Sequence, residues 1–215
     1  NTDKIILATS VDHSDGPIEE FCQELSIECY RGKLDDVLDR YYQAALKYQL
    51  DTIVRVTGDC PIIDPLIVDE MVALYEASSC DYMANTLQPG ATFPEGMDVE
   101  IFSFKMLEEA WKVTKKPSER EHVTFYFWQN SDKFVVHQHH LENDVSHLRL
   151  TVDYPEDFEV IETIIRKLYP KNPLFSLNEI VQFLYTHHEI ASKNSDIIPN
   201  QGWQSAFDKD KEEGF

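Results

Sequence analysis

Residues 52–65 read Thr52-Ile53-Val54-Arg55-Val56-Thr57-Gly58-Asp59-Cys60-Pro61-Ile62-Ile63-Asp64-Pro65. A β-branched run over 52–57 has the composition of a buried strand. It stops at Gly58-Asp59, and Asp64-Pro65 then opens an apolar helical pattern through Ile67, Met71 and Leu74. Asp before Pro is a helix start, the acid capping and the proline occupying the first turn. A strand, a turn carrying an acid and a helix in direct succession form one repeat of an α/β fold.

The pattern extends in both directions. Upstream, Lys4–Ser10 and Ile27–Tyr30 read as strands. Between them Pro17–Leu25 has helical spacing, and a helix capped by Asp35 or Asp36 follows with Val37, Leu38, Tyr41, Ala45 and Tyr48 as its stripe. Downstream, Asp81–Thr86, Asp98–Phe102, Phe134–His139 and Leu148–Val152 read as strands, the last ending at Asp153. Ser118 to Glu121 has the form of a capping box, predicting a helix that runs through Phe125, Tyr126, Phe127 and Trp128. Pro155 opens another helix, and Ser176 to Glu179 is a second capping box. Strands and helices alternate without hairpin signals, so the expected fold is α/β, a mostly parallel sheet flanked by helices. Residues 1–200 are expected as a single domain and residues 201–215 as a frayed polar tail.

The 215 residues are 42% apolar, enough to bury a core, and the net charge is −20. Such acidity argues against coating a nucleic acid polymer. It is compatible with one nucleotide, because a metal ion can stand between carboxylates and phosphates. No run reaches the length of a membrane span. The four cysteines, Cys22, Cys29, Cys60 and Cys80, form no C-x-x-C pair and read as reduced thiols of a cytoplasmic protein.

In open parallel sheets, ligands bind beyond the carboxyl ends of the strands. Asp59 and Asp153 stand at such ends, each near a proline that starts a helix. Either each is a helix cap or the two converge on one Mg²⁺, which takes oxygen ligands and keeps waters and phosphate oxygens. Asp64 reads as a cap, and Cys60 as a packing thiol. His137 and His139 share a strand face, but no further ligand stands at suitable spacing, so a solvated face outweighs a zinc site. The aromatic block at 125–128 suits core packing or a subunit interface, which leaves room for a homodimer.

The stretches "YRGKLDDVLDRYYQAA", "VRVTGDCPIIDP", "FPEGMDVEIFSFKMLEEAW", "PSEREHV" and "SHLRLTVDYPEDFEVI", spread over residues 4–180, resemble the cytidylyltransferase family. That family includes CMP-KDO synthetase and acylneuraminate cytidylyltransferase, and the likeness is strongest to its spore coat polysaccharide biosynthesis protein F group. The resemblance implies a nucleotide-diphospho-sugar transferase (Rossmann-like) fold and transfer of CMP from CTP to an acidic sugar, releasing pyrophosphate, in surface polysaccharide biosynthesis. It implies Asp59 and Asp153 as catalytic acids that hold Mg²⁺. Gly32, Asp39, Arg40 and Gly58 fall near the nucleotide, and Glu95, Asp98, Glu100, Glu119, Arg120 and His122 on the sugar side.

Family members begin with a strand and a basic loop of the type Q-A-R-x-x-S-T-R-L-P-G-K that grips the triphosphate. The sequence starts at what resembles the family's second strand. Either a segment carrying that strand and loop precedes Asn1, or CTP is not bound in the family's way. Loss of a central strand would expose apolar surface and unpaired backbone, which favours the first. Two alternatives keep the resemblance but change the role. One is a glycosyltransferase of the same fold, for which the only D-x-D, Asp208-Lys209-Asp210, lies in the tail. The other is a non-catalytic binding subunit of a sugar pathway.

Overall fold

A computed structural model of the chain describes residues 2–199 and 201–215, the side chains at 201 and 204 excepted. The chain divides into two compact units. The first comprises residues through Ile53, Phe102–Val136 and residues from 201 on; the second comprises Val54–Ile101 and His137–Pro199.

In the first unit β1 (Ile6–Ser10) and β2 (Glu28–Gly32) pair in parallel, Ile6 opposite Glu28 and Ser10 opposite Gly32. The crossover is α1 (Gly16–Leu25), as a parallel pair requires. Next comes α2 (Val37–Tyr48), whose first turn is capped by Asp36 accepting from the Asp39 N–H at 3.0 Å. α4 (Phe104–Val113) and α5 (Pro117–Glu121) pack on α2, with Leu38, Leu107 and Ala110 fully buried.

The capping box expected at Ser118 is replaced by a different arrangement. Pro117 takes the first helical position, so Ser118 lies inside α5. Its N–H and hydroxyl instead donate to Asp210, at 2.9 and 2.5 Å. The helix stops at His122, and Val123, at φ 46°, separates it from α6 (Phe125–Gln129). Asp210 belongs to α10 (Gln201–Glu212), which packs on α5. Residues 201–215, expected as a frayed tail, are therefore mostly helix. The polar pattern conceals one buried edge, where Ala206 packs and Asp210 finds two donors.

The second unit is built on a sheet ordered β3 (Thr52–Arg55), β5 (Glu100–Ser103), β4 (Tyr82–Ala84) and β6 (Val136–Gln138). β3 and β5 carry the chain between the units. Flanking helices are α3 (Pro65–Ala77), α7 (Pro155–Leu168), α8 (Leu177–Thr186) and the short α9 (His188–Ala191). One core joins Met71, Met83, Phe93, Met97, Val99, Ile101, Leu150, Ile164 and Ile180.

Leu148–Val152, expected as a strand, makes only an isolated parallel bridge, Glu95 to Arg149. Its neighbours are turns that offer single acceptors. The Leu150 N–H donates to the Glu95 carbonyl at 2.7 Å and the Val152 N–H to the Asp59 carbonyl at 2.9 Å. Gly96, at φ +97°, makes this approach feasible: a Cβ there would lie 2.2 Å from the Leu150 carbonyl carbon.

Candidate functional site

The turn beyond β3 carries the first acid. β3 ends at Arg55, so Asp59 lies in the following turn, closed by the Cys60 N–H on the Thr57 carbonyl at 3.2 Å, and not at the strand's last residue as expected. The turn is tied to the segment before α7, since the Asp59 carbonyl also accepts from the Thr151 hydroxyl at 3.1 Å. The chain thus brings the Asp59 turn beside the residues that lead into Asp153. Asp64 is a cap, as expected, and does more: Oδ1 accepts from the Leu66 N–H at 2.9 Å and Oδ2 from the Leu177 N–H at 2.8 Å.

Asp153 precedes α7 but does not cap it; that work falls to Asp157, which accepts from the N–H groups of Asp153 and Tyr154. Asp153 Oδ2 instead accepts from Arg149 Nη2 at 2.7 Å. The Arg149 guanidinium also grips Asp157 through Nε and Nη2 at 2.9 and 3.0 Å, and pairs with Glu95. Burial works against charge on both Arg149 and Asp157, yet their mutual bonds prevail: the guanidinium pKa is raised and that of Asp157 lowered. Neither Arg149 nor Asp157 was singled out from the sequence. The available signal was a lone arginine within an apolar run, which has to find a buried partner.

Asp98 lies close to the Asp59 turn. Its Oδ2 accepts from the Gly96 N–H at 2.7 Å and from the Cys60 thiol at 3.7 Å. Burial pushes the Asp98 carboxyl up, aided by the charges of Glu100 and Asp59 and opposed by bonds from Thr86 and Gly96. Cys60 is buried and its thiol pKa is raised by burial and by Asp98, so it is a packing thiol and not a nucleophile. Glu100, on the middle one of three adjacent strands, is committed to both neighbours: it pairs with Arg55 on β3 and accepts from the Tyr82 hydroxyl on β4. Gly58 is exposed in the Asp59 turn.

The remaining candidates lie in the first unit. Gly32 ends β2, where a Cβ would come 2.6 Å from Arg40 Cγ. Arg40 is half-buried, and its Nε is buried with no hydrogen bond among the described residues. Asp39 accepts from Trp111 Nε1 at 2.8 Å and from Gln43 at 3.2 Å. Arg120 pairs with Asp36 and donates to the Trp111 carbonyl, which ties α5 to α2 and α4. Glu119 is buried 3.5 Å from Lys116, and burial raises its pKa. His122 stacks on Phe125, ring centroids 4.3 Å apart.

The donor set suits a hard cation. Asp59 Oδ1 receives only the Cys60 thiol, at 3.5 Å, and Asp153 Oδ1 takes no hydrogen bond among the described residues. Carboxylate oxygens in this state fit Mg²⁺, which draws its other ligands from water and phosphate. No group of three or more His, Cys, Asp or Glu side chains among the described residues is arranged to hold a metal. His139 lies 3.3 Å from Glu70. The D-x-D acids are otherwise engaged, Asp210 with Ser118 and Asp208 with Lys211. No described helix is long and apolar enough to cross a membrane.

The chain is similar to known proteins over most of its length. A protein of Methanocaldococcus jannaschii without an assigned function is 33% identical over 199 residues, covering 91% of this chain and 78% of its own. The spore coat polysaccharide biosynthesis protein SpsF of Bacillus subtilis is 25% identical over 198 residues, covering 89% and 78%. The solved structure of a cytidylyltransferase from Leptospira borgpetersenii superposes with a TM-score of 0.81 at 34% identity, covering 86% of this chain and 77% of that one. The family model described as cytidylyltransferase matches residues 1–193. With its helix-flanked α/β architecture, the chain belongs to the cytidylyltransferase family and is a nucleotidyltransferase.

Proposed function

We propose that the protein transfers CMP from CTP to an acidic sugar, releasing pyrophosphate, in surface polysaccharide synthesis. The observation that carries this reading is the join between the Asp59 turn and the segment ending at Asp153, where Asp59 Oδ1 meets the Cys60 thiol at 3.5 Å and Asp153 Oδ1 takes no hydrogen bond among the described residues. The likeness to SpsF supports the pathway. Mg²⁺ held by Asp59 and Asp153 would supply positive charge against the phosphate oxygens.

The chain's own residues bind and orient. The turn at 57–60 sets Asp59, and Arg149 sets Asp153. On this reading Glu95 and Asp98 lie on the sugar side. The acceptor hydroxyl attacks the α-phosphorus in line, and no protein nucleophile is needed. A homodimer in the cytoplasm is the setting this reading expects.

The test is pyrophosphate release by the full-length protein given CTP, Mg²⁺ and a panel of acidic sugars. Release that depends on one sugar supports the reading. Release of a nucleoside diphosphate from a nucleotide-sugar would replace it with glycosyl transfer.

A further inference from the structure

Arg149 has a side chain only 7% exposed and faces three carboxylates. One of these is immobile. Asp157 is wholly buried and accepts from Arg149 Nε and Nη2, from Asn194 Nδ2 at 2.8 Å and from two backbone N–H groups at 3.1 Å. A carboxylate so fully bonded cannot rotate, so it sets the plane of the guanidinium. Asn194 adds a second brace, donating to the Arg149 carbonyl at 3.1 Å. The remaining guanidinium donors then have fixed directions. One meets Asp153 Oδ2 and one meets Glu95.

Asp153 itself is 43% exposed and follows no regular element. Without a partner such a side chain would sample several rotamers. Arg149 is thus the link between a rigid buried anchor and an exposed acid whose second oxygen takes no hydrogen bond among the described residues.

We propose that Arg149 is a positioning residue for the transfer reaction: anchored by Asp157 and Asn194, it holds Asp153 in the single rotamer that leaves Oδ1 for a cation, and it holds Glu95 from the same guanidinium. This rests on the reading of Asp59 and Asp153 as the Mg²⁺ acids. The carboxylate of the metal side and that of the sugar side are then set by one group. By charge alone Arg149 opposes metal binding, whereas by position it favours it.

The test measures Mn²⁺ binding by electron paramagnetic resonance in the presence of CTP, without an acceptor, so that no turnover occurs. The full-length proteins compared are wild type, Arg149→Lys, Asn194→Ala and Asp153→Asn, with thermal unfolding as the check on folding. Lysine keeps the charge but is a point donor that cannot serve three carboxylates as a planar fork. Asn194→Ala removes the brace and alters no charge. The expected result is a weakening of Mn²⁺ binding by about tenfold or more in Arg149→Lys, with a smaller loss in the same direction in Asn194→Ala. Wild-type Mn²⁺ affinity in a folded Arg149→Lys protein overturns the proposal; if that variant does not fold, the same result in Asn194→Ala does so. Mn²⁺ binding by wild type that Asp153→Asn leaves unchanged removes the metal assignment itself, and the proposal with it.

Discussion

The N–H of Val152 donates to the carbonyl of Asp59 at 2.9 Å. This bond brings the turn after β3 to the residue immediately before Asp153. It uses the backbone of Asp59 and leaves the side chain for other work, so the structural and chemical roles of that residue can be separated by mutation.

Asp59→Asn keeps the carbonyl and the turn. It is expected to fold as wild type, with a stability change within about 0.5 kcal/mol. Pyrophosphate release from CTP should fall by about two to three orders of magnitude, the scale seen when a group stabilising transition-state charge is lost. Unimpaired release would remove Asp59 from the chemistry.

Asp64→Ala makes the opposite separation. Asp64 is buried and accepts from the first turns of both α3 and α8. Its loss leaves two helix-end donors unsatisfied, at a cost of about 2–4 kcal/mol. Urea unfolding should show a lower midpoint, while activity per folded molecule stays near wild type.

Gly96→Ala tests the close approach at the bridge. Alanine would meet the Leu150 backbone at 2.2 Å in a conformation L-residues rarely adopt. The expected outcome is a loss of about 3 kcal/mol or more, or failure to accumulate folded protein. A folded variant of wild-type stability would show that Glu95 and Arg149 can bridge without this contact.

Acid should undo the Arg149 hub. The native pKa of Asp157 lies below the ordinary 3.8, so folding holds this group ionised more strongly than the unfolded chain does. Its stabilisation is complete above pH 3.8 and is lost as pH falls through the lowered native value. Asp157→Asn should be less stable by about 3 kcal/mol at neutral pH, because Arg149 loses its buried partner. The difference from wild type should shrink in unfolding experiments at progressively lower pH.

Asp98 behaves with the opposite sign. Its native pKa is raised, chiefly by burial, so the folded state binds this proton more tightly than the unfolded chain. The associated stability is full below pH 3.8 and is lost as pH rises through the raised native value. Asp98→Asn should retain the bond from the Gly96 N–H and lose that decline, seen as a flatter profile of unfolding midpoint against pH.

Short-range chemistry made much of this legible. Asp64 before Pro65 and the Ser176–Glu179 box start helices where the sequence says they do. The same logic failed at Ser118, where Pro117 moved the helix start and a distant aspartate took the serine. Asp59 and Asp153 were singled out as candidates through the strand ends and the family likeness, and the structure joins their segments. Arg149 and Asp157 were not found, because an arginine in an apolar run does not name its partners.

By itself, the sequence determined the starts of α3, α7 and α8, which faces are apolar, and that strands alternate with helices, since caps, prolines and hydrophobic period act over a few residues. Only the tertiary structure decided which acids share one guanidinium. It alone made residues 148–152 a bridge and not a strand, and residues 201–212 a packed helix. A buried charge or an unpaired backbone group is satisfied by whatever folding brings within about 3 Å, whether a few residues along, as Asp157 is from Arg149, or tens of residues away, as Glu95 is.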